Sequence, residues 1–294
     1  MKVGFFAVGI GSSADPELIA LIAKATEQCG FHSLWAPEHV VLLEQYASKY
    51  PYSADGRLPM PTTRIDILDP YVALTYAAAF TKTIRLGTGI SLIPERSPVV
   101  TAKEIASLDK LSGGRFDLGV GVGWLAEEFT AVNVPWERRA ERTREYLKAM
   151  KLLWTEEQPE FKGEFLSFPK VSMYPKPVQK PYPPIIFGGE STPALKRVAE
   201  VGNGWFGVNV TVEDAQSKIA RIQQYAQAAG RSNVKFSFAV SPGLGLPVEM
   251  DQVKRYRDAG ADQMIVGALS QDPKSIKGEI ERLAEKLVVP SAKI

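Results

Sequence analysis

An eightfold alternation of short β-rich runs with longer helical ones constrains this chain more than any other feature. Strand-like runs fall at 3–8, 32–36, 84–90, 115–120, 184–187, 204–208, 234–240 and 263–266. Helical patterns follow them at 16–29, 70–80, 98–111, 137–154, 192–201, 212–229, 248–259 and 273–287. Repeated strand–helix units build a parallel sheet, because each helix returns the chain to begin the next strand in the same direction. The punctuation agrees with that phase. Asp15-Pro16, Asp69-Pro70, Ser97-Pro98, Thr192-Pro193 and Asp272-Pro273 each set a capping oxygen before a proline at the first helical position, where no intrahelical N–H is lost. Thr211 with Asp214 reads as a capped helix start, and Gly30, Gly202, Gly230 and Gly260 close four helices just before the next strand. The runs 184–187 and 264–266 are apolar throughout, and 84–90 is broken only by Arg85 and Thr88, as strands covered on both faces are. An open doubly wound sheet satisfies the same alternation. Eight units without an early Gly-rich dinucleotide fingerprint favour closure into an α/β (β/α)8 TIM barrel, with residues 1–294 as one domain.

Composition narrows the partners. The chain is 45% hydrophobic over 294 residues, enough to bury a large core. Its net charge is +2, with Lys and Arg scattered among Asp and Glu, so nothing points to nucleic acid or an anionic membrane. Cys29 is the single cysteine, which excludes an internal disulfide and a cysteine metal cluster and suits a reducing cytoplasm. The N-terminal run meets polar residues too soon for a signal peptide, and no apolar run reaches the roughly 18 residues a bilayer needs. A soluble, cytoplasmic protein is expected.

Three connections exceed ordinary loop lengths: 37–68 after strand two, 155–183 before strand five, and the Pro/Gly-rich 241–247 after strand seven. The first and third leave C-terminal strand ends, where barrel active sites are built. The second approaches from the opposite end unless it folds back over the mouth. Segment 37–68 carries Tyr46, Tyr50, Tyr52 and Met60; it reads as a lid and specificity wall, or else as a surface excursion or dimer contact.

Two histidines are present. His32 opens strand two at the stability face; His39 lies three residues past Ala36 at the functional face, so any imidazole chemistry belongs to His39. Glu38 either orients that ring or titrates itself, although neighbours in extended chain point opposite ways. Trp35 lines the pocket or is plain core. Glycines mark three strand ends: Gly87 and Gly89 with Ile90 in strand three, Gly119-Val120-Gly121-Val122-Gly123-Trp124 after strand four, and Gly188-Gly189-Glu190-Ser191 at a helix start after strand five. Such ends admit a flat ligand against main chain, and the last forms a phosphate seat; tight turns alone would also use glycine. The chain has no Gly-x-Ser-x-Gly elbow, no Cys/His pair at a rim and too few histidines for a barrel metal hydrolase, so no metal site is expected. Paired carboxylates for glycoside cleavage stay open.

In these stretches the chain resembles the bacterial luciferase-like family of flavin and deazaflavin oxidoreductases. The likeness runs through Leu34-Trp35-Ala36-Pro37-Glu38-His39, Arg85-Leu86-Gly87-Thr88-Gly89-Ile90 and Leu108-Asp109-Lys110-Leu111-Ser112-Gly113-Gly114-Arg115-Phe116. It continues through Leu118 to Trp124, then Pro175-Lys176-Pro177-Val178-Gln179 and Pro183-Pro184-Ile185 with Gly188-Gly189. The resemblance implies a barrel, usually dimeric, with the cofactor ring over its mouth. It maps the residues facing the ring onto Glu38 and His39, and a non-proline cis peptide behind the ring onto Gly89–Ile90. Cofactor contacts map onto Trp35, Gly121 and Trp124, and the phosphate onto backbone at Gly188, Gly189, Gly207 and Val208. Deazaflavin members often carry an acid where this chain has Trp124, with Glu127 and Glu128 a turn later. The Gly-Trp-Leu-x-Glu-Glu-Phe pattern looks most like the coenzyme F420 subgroup. The expectation is hydride transfer between F420 or FMN and a small organic substrate, with an FMNH2-dependent monooxygenase as the alternative. Outside the class stand a cofactor-free barrel lyase or isomerase and a non-catalytic flavin-binding barrel.

Overall fold

A computed structural model describes residues 1–6, 8–60, 62–267 and 272–294. The predicted strand 3–8 and the segment 37–68 each include one residue outside these, Ala7 and Pro61.

Among the described residues, eight parallel strands form the barrel: β1 Lys2–Phe6, β2 Ser33–Ala36, β3 Arg85–Thr88, β4 Phe116–Gly121, β5 Ile185–Gly188, β6 Gly204–Val208, β7 Ser237–Ser241 and β8 Gln263–Gly267. Each pairs with the next, as in Trp35↔Gly87 between β2 and β3 and Val120↔Phe187 between β4 and β5. Phe5↔Val266 closes β1 onto β8, so no edge remains. The predicted strand 84–90 stops at Thr88; the chain leaves the ladder at Gly89–Ile90 and rejoins β4 at Ser91–Leu92.

Strand alternation explains the continuous apolar runs. Successive side chains point to opposite faces. Outward-facing Leu34, Leu86, Leu118 and Trp205 join the shell beneath the helices, while inward-facing Trp35, Ile186, Phe206, Ala239 and Ile265 fill the barrel. The surrounding helices are α1 Pro16–Gln28, α2 Pro70–Ala78, α3 Pro98–Ser112, a short α4 Ala126–Ala131, α5 Arg139–Thr155, α6 Thr192–Val201, α7 Val212–Ala228, α8 Met250–Asp258 and α9 Ile276–Leu283. None is long and apolar enough to cross a membrane.

Three caps form as read: Asp15 accepts from Glu17 and Leu18 N–H, Asp69 from Tyr71 and Val72, and Thr211 from Asp214. Ser97 stands at the start of α3 without a capping bond, and α6 is capped by Ser191 rather than Thr192. Gly30, Gly230 and Gly260 take left-handed φ values, but Gly202 sits at −89°. The link from α6 to β6 is so short that the chain leaves that helix extended: Asn203 N–H already donates to Ile185 O at 2.7 Å.

Arg96, just before α3, holds both ends of segment 37–68, pairing with Glu38 at its start and Asp69 just past its end. Gly9 and Gly11 stitch the segment's end to the loop after β1 through Leu68 N–H and Asp66 O, both at 2.8 Å. The connection 155–183 stays off the mouth. It carries a small hairpin, Phe161–Lys162 with Ser167–Phe168, whose turn donates three N–H bonds to Glu145, and Gln179 anchors it to Asp109.

Candidate active site

The C-terminal ends of all eight strands, with the loops that follow, enclose one cavity of about 910 Å³. Segment 37–68 roofs it: Tyr50, Tyr52, Leu58 and Met60 face inward, so it is a lid, while the loop after β7 contributes Leu244 and Gly245. No described residue of 155–183 reaches it.

His39 and Glu38 both border the cavity, yet they do different things. His39 keeps 13% of its side chain exposed, and its Nδ1 lies 2.8 Å from Glu128 Oε2. The other oxygen of Glu128 accepts the N–H groups of Val40 at 2.6 Å and Val41 at 3.2 Å. A carboxyl accepting on both oxygens places the ring proton on Nδ1 and leaves Nε2 for the cavity. Glu38 has turned away. Its carboxyl accepts from Leu92 N–H and from Arg96 Nε, the latter at 2.5 Å, and it is buried. Glu38, read as orienting that ring or titrating itself, does not reach it: extended chain sends neighbouring side chains to opposite sides, and the carboxyl that meets His39 is Glu128.

Glu128 belongs to α4, which the strand–helix pattern missed because a six-residue helix shows no period. The one signal was the pair Glu127-Glu128 at a helix start. Glu127 binds Ala47 and Ser48 N–H and the Ser48 hydroxyl, so the two acids pin the lid at separate points. The backbone N–H bonds and Ser48 hold the Glu127 carboxyl down at about 2 against the opposing effect of desolvation, the largest single influence. Trp124 stands over α4 and meets His39, Tyr46 and Tyr50 edge-on, at centroid distances of 6.0, 5.7 and 5.1 Å.

At Gly121 and Gly188 the missing side chains make room for a side chain of the protein itself. The Gly89–Ile90 peptide is cis, and the Ile90 side chain lies across the barrel mouth. A Cβ on Gly121 would land on Ile90 Cδ1, one on Gly188 would come within 2.8 Å of the same atom, and one on Gly119 would strike Thr88 O. Ile90 is thus a platform over β4 and β5, made possible because those strands lack side chains there.

Two expected cofactor positions lie off the cavity wall. Trp35 is 2% exposed inside the barrel, packed on Phe206 and over Gly87, with its indole N–H on Ser33 at 2.7 Å. Gly207 faces outward, where any Cβ would strike the Trp205 ring, which donates to Gly189 O at 3.0 Å. Gly89, Ile90, Gly121, Trp124, Gly188, Gly189 and Val208 do border the cavity.

Near Gly188-Gly189 sit groups the sequence reading passed over. Arg139 and Arg197 line the cavity, and Arg197 Nε is buried without a partner among the described residues. Burial, with Arg144 and Arg139 nearby, pulls that guanidinium down to about 10. Arg139 stacks on Trp136 at 3.5 Å. Glu190 accepts Val208 N–H at 3.3 Å and meets Tyr52; burial pushes its carboxyl up despite those bonds. Among the described residues no cluster of His, Cys, Asp or Glu could hold a metal.

A closed parallel barrel with a roofed cavity at its mouth, an oriented imidazole on the cavity wall and, among the described residues, a buried Arg197 Nε without a partner defines a TIM-barrel protein. The chain belongs to the luciferase-like monooxygenase family, which it matches over residues 1–285. It is 35% identical over 269 residues to an uncharacterized protein of Mycobacterium tuberculosis, covering 91% of this chain and 93% of that one. It is 34% identical over 139 residues to the FMNH2-dependent dimethylsulfone monooxygenase of Pseudomonas putida, covering 46% and 38%. In fold it resembles the coenzyme F420 dependent tetrahydromethanopterin reductase of Methanopyrus kandleri, with a TM-score of 0.76, 19% identity and 98% of each chain covered.

Proposed function

We propose that this chain is an oxidoreductase that binds F420 or FMN in the roofed cavity and uses it for hydride transfer with a small organic substrate. The observation that carries the reading is the pairing of a side-chain platform with an unanswered cation. Ile90 offers a flat apolar floor, and the buried Arg197 Nε lacks any acceptor. A planar ring joined to a phosphate answers both. The named cofactors of family relatives, F420 in one and FMNH2 in another, have that shape.

Arg197, Arg139 and the backbone of Gly188 and Gly189 would hold the phosphate end, at the start of α6 where the helix dipole favours an anion. When bound, a reduced flavin or deazaflavin supplies the electrons. The chain's residues do the rest. His39, its Nδ1 fixed by Glu128, holds or delivers a proton at Nε2. Trp124, Tyr50 and Tyr52 exclude water beneath the lid. Glu38 and Arg96 fix the lid's first residues and take no part in proton transfer.

A second reading, an FMNH2-dependent monooxygenase, is favoured by the Pseudomonas relative. Titrating the purified protein with FMN and with F420, followed by single-turnover oxidation of the reduced complex, separates the two. The hydride-transfer reading expects oxidation to track an organic acceptor; oxygen consumption with a hydroxylated product supports the monooxygenase, and binding of neither cofactor overturns both. His39→Ala should keep cofactor affinity within a few-fold and lower turnover by on the order of 100-fold or more. Self-association is part of the proposal: α2 and α3 pack side by side and leave Val72, Tyr76, Val100 and Leu111 exposed.

A further inference from the structure

One acid near the site has no role in the scheme above. Glu95 follows the Ser91–Leu92 strand extension in a short 3-10 turn and keeps only 7% of its surface exposed. Neither carboxyl oxygen has a hydrogen-bond partner among the described residues. It lies directly behind the cavity wall: a Cβ on Gly123, which borders the cavity, would stand 3.0 Å from Glu95 Oε1 and would also strike the Phe129 ring. Gly123, which lines the hollow, packs against this carboxyl from the cavity side. On that side no donor meets it, so its charged form has nothing to replace the lost water.

The charged groups around it make ionisation still harder. Glu128 on α4 and Glu38 after β2 both act on Glu95 as like charges. Among the described residues the cation acting on it is Arg96, next in sequence, and that guanidinium is already committed to Glu38, Asp69 and Glu104. From α5, which packs on this turn, Arg139 is bound to Gly123 O and stacked on Trp136, while Arg142 holds the Pro135 and Glu137 carbonyls. Among the described residues no second cation offsets a third carboxylate. Burial first, then the two carboxyls, push the Glu95 group up to about 9.

We propose that Glu95 is a positioning residue that works as a neutral acid behind the His39–Glu128 pair, keeping a second negative charge away from that pair. A proton on the His39 ring is held more tightly as negative charge accumulates around it. A neutral Glu95 keeps a further negative charge from joining the carboxyl of Glu128 beside the ring. Once Glu95 ionises, the ring's environment changes although nothing in contact with the ring has moved.

The inference rests on His39 being the proton-handling group of the proposed site, but its test needs neither cofactor nor turnover. With two histidines in the chain, the ring nitrogens of His39 can be followed alone by 15N-edited NMR, His32 serving as internal reference. In the cofactor-free protein His39 should show an alkaline shift step near pH 9, and Glu95→Gln, which keeps size and neutrality, should abolish it. An identical step in the variant overturns the proposal. Should Glu95→Gln fail to fold, infrared spectra of the wild-type protein decide. A buried protonated-carboxyl band present at pH 7 and lost above pH 9 supports the assignment, and its absence at pH 7 overturns it.

Discussion

Replacing Glu128 by Gln isolates what this acid does for His39. The native carboxyl takes two backbone N–H groups on Oε1 and His39 Nδ1 on Oε2. Glutamine retains one oxygen, which can still serve Val40 and Val41, but it turns an amide N–H towards Nδ1. Two donors then face each other, so the ring must move its proton to Nε2 or swing away. The bond lost is charge-assisted, contributing about 1.5–3 kcal/mol, against about 0.5–1.5 kcal/mol for the neutral one that could replace it. The net change at a step that needs a protonated ring is about 1–2 kcal/mol, or roughly 5- to 30-fold in rate. Single-turnover oxidation of the reduced complex measures the rate, and the downfield Nδ1–H resonance reports the tautomer without any cofactor. If the variant reacts within about twofold of wild type and keeps that resonance, Glu128 does not orient His39. If the rate falls with the resonance unchanged, the effect arises elsewhere on the lid.

Two further outcomes test the electrostatics. Arg96→Ala leaves Glu38 buried without its cation and releases the lid's start from α2's cap, so it should destabilise by about 3–5 kcal/mol in urea unfolding; a loss under about 1 kcal/mol would show that the clamp contributes little. His32 is held down to about 4 by burial, with Lys2 and Arg85 adding to the effect. The fold therefore favours the neutral ring, stability is intact above about pH 6.5, and it declines as the unfolded chain takes up the proton on acidification. With a partly exposed ring the loss between pH 7 and pH 5 should be about 1–2 kcal/mol, and His32→Gln should remove that part of the slope; equal slopes in both proteins would refute it.

Local chemistry was legible in particular places. Asp15, Asp69 and Thr211 cap their helices as proximity in sequence required, and Leu34 and Trp35, both buried, face opposite sides of β2 as strand geometry requires. His39 could be separated from His32 because a parallel barrel assigns opposite ends of a strand to opposite faces. That Glu38 does not meet the ring was not legible, since adjacency in sequence says nothing about which carboxyl a ring will meet. Glu128, 89 positions from His39, could be found only once α4 was seen beside the lid. The glycines at 119, 121 and 188 were noticed correctly, but what fills the space at Gly121 and Gly188 is Ile90, from the bend after β3, and at Gly119 it is Thr88 O.

The amino-acid order determined the eight strand–helix units, their direction and the end of the barrel where chemistry gathers, since periodicity, caps and chain reversal act between near neighbours. Tertiary structure decided which acid serves the histidine, which arginine goes unpaired and which acid is stranded behind Gly123. Those outcomes depend on distances between side chains far apart in the chain, and burial sets their strength by removing the water that would otherwise make every such pairing nearly equal.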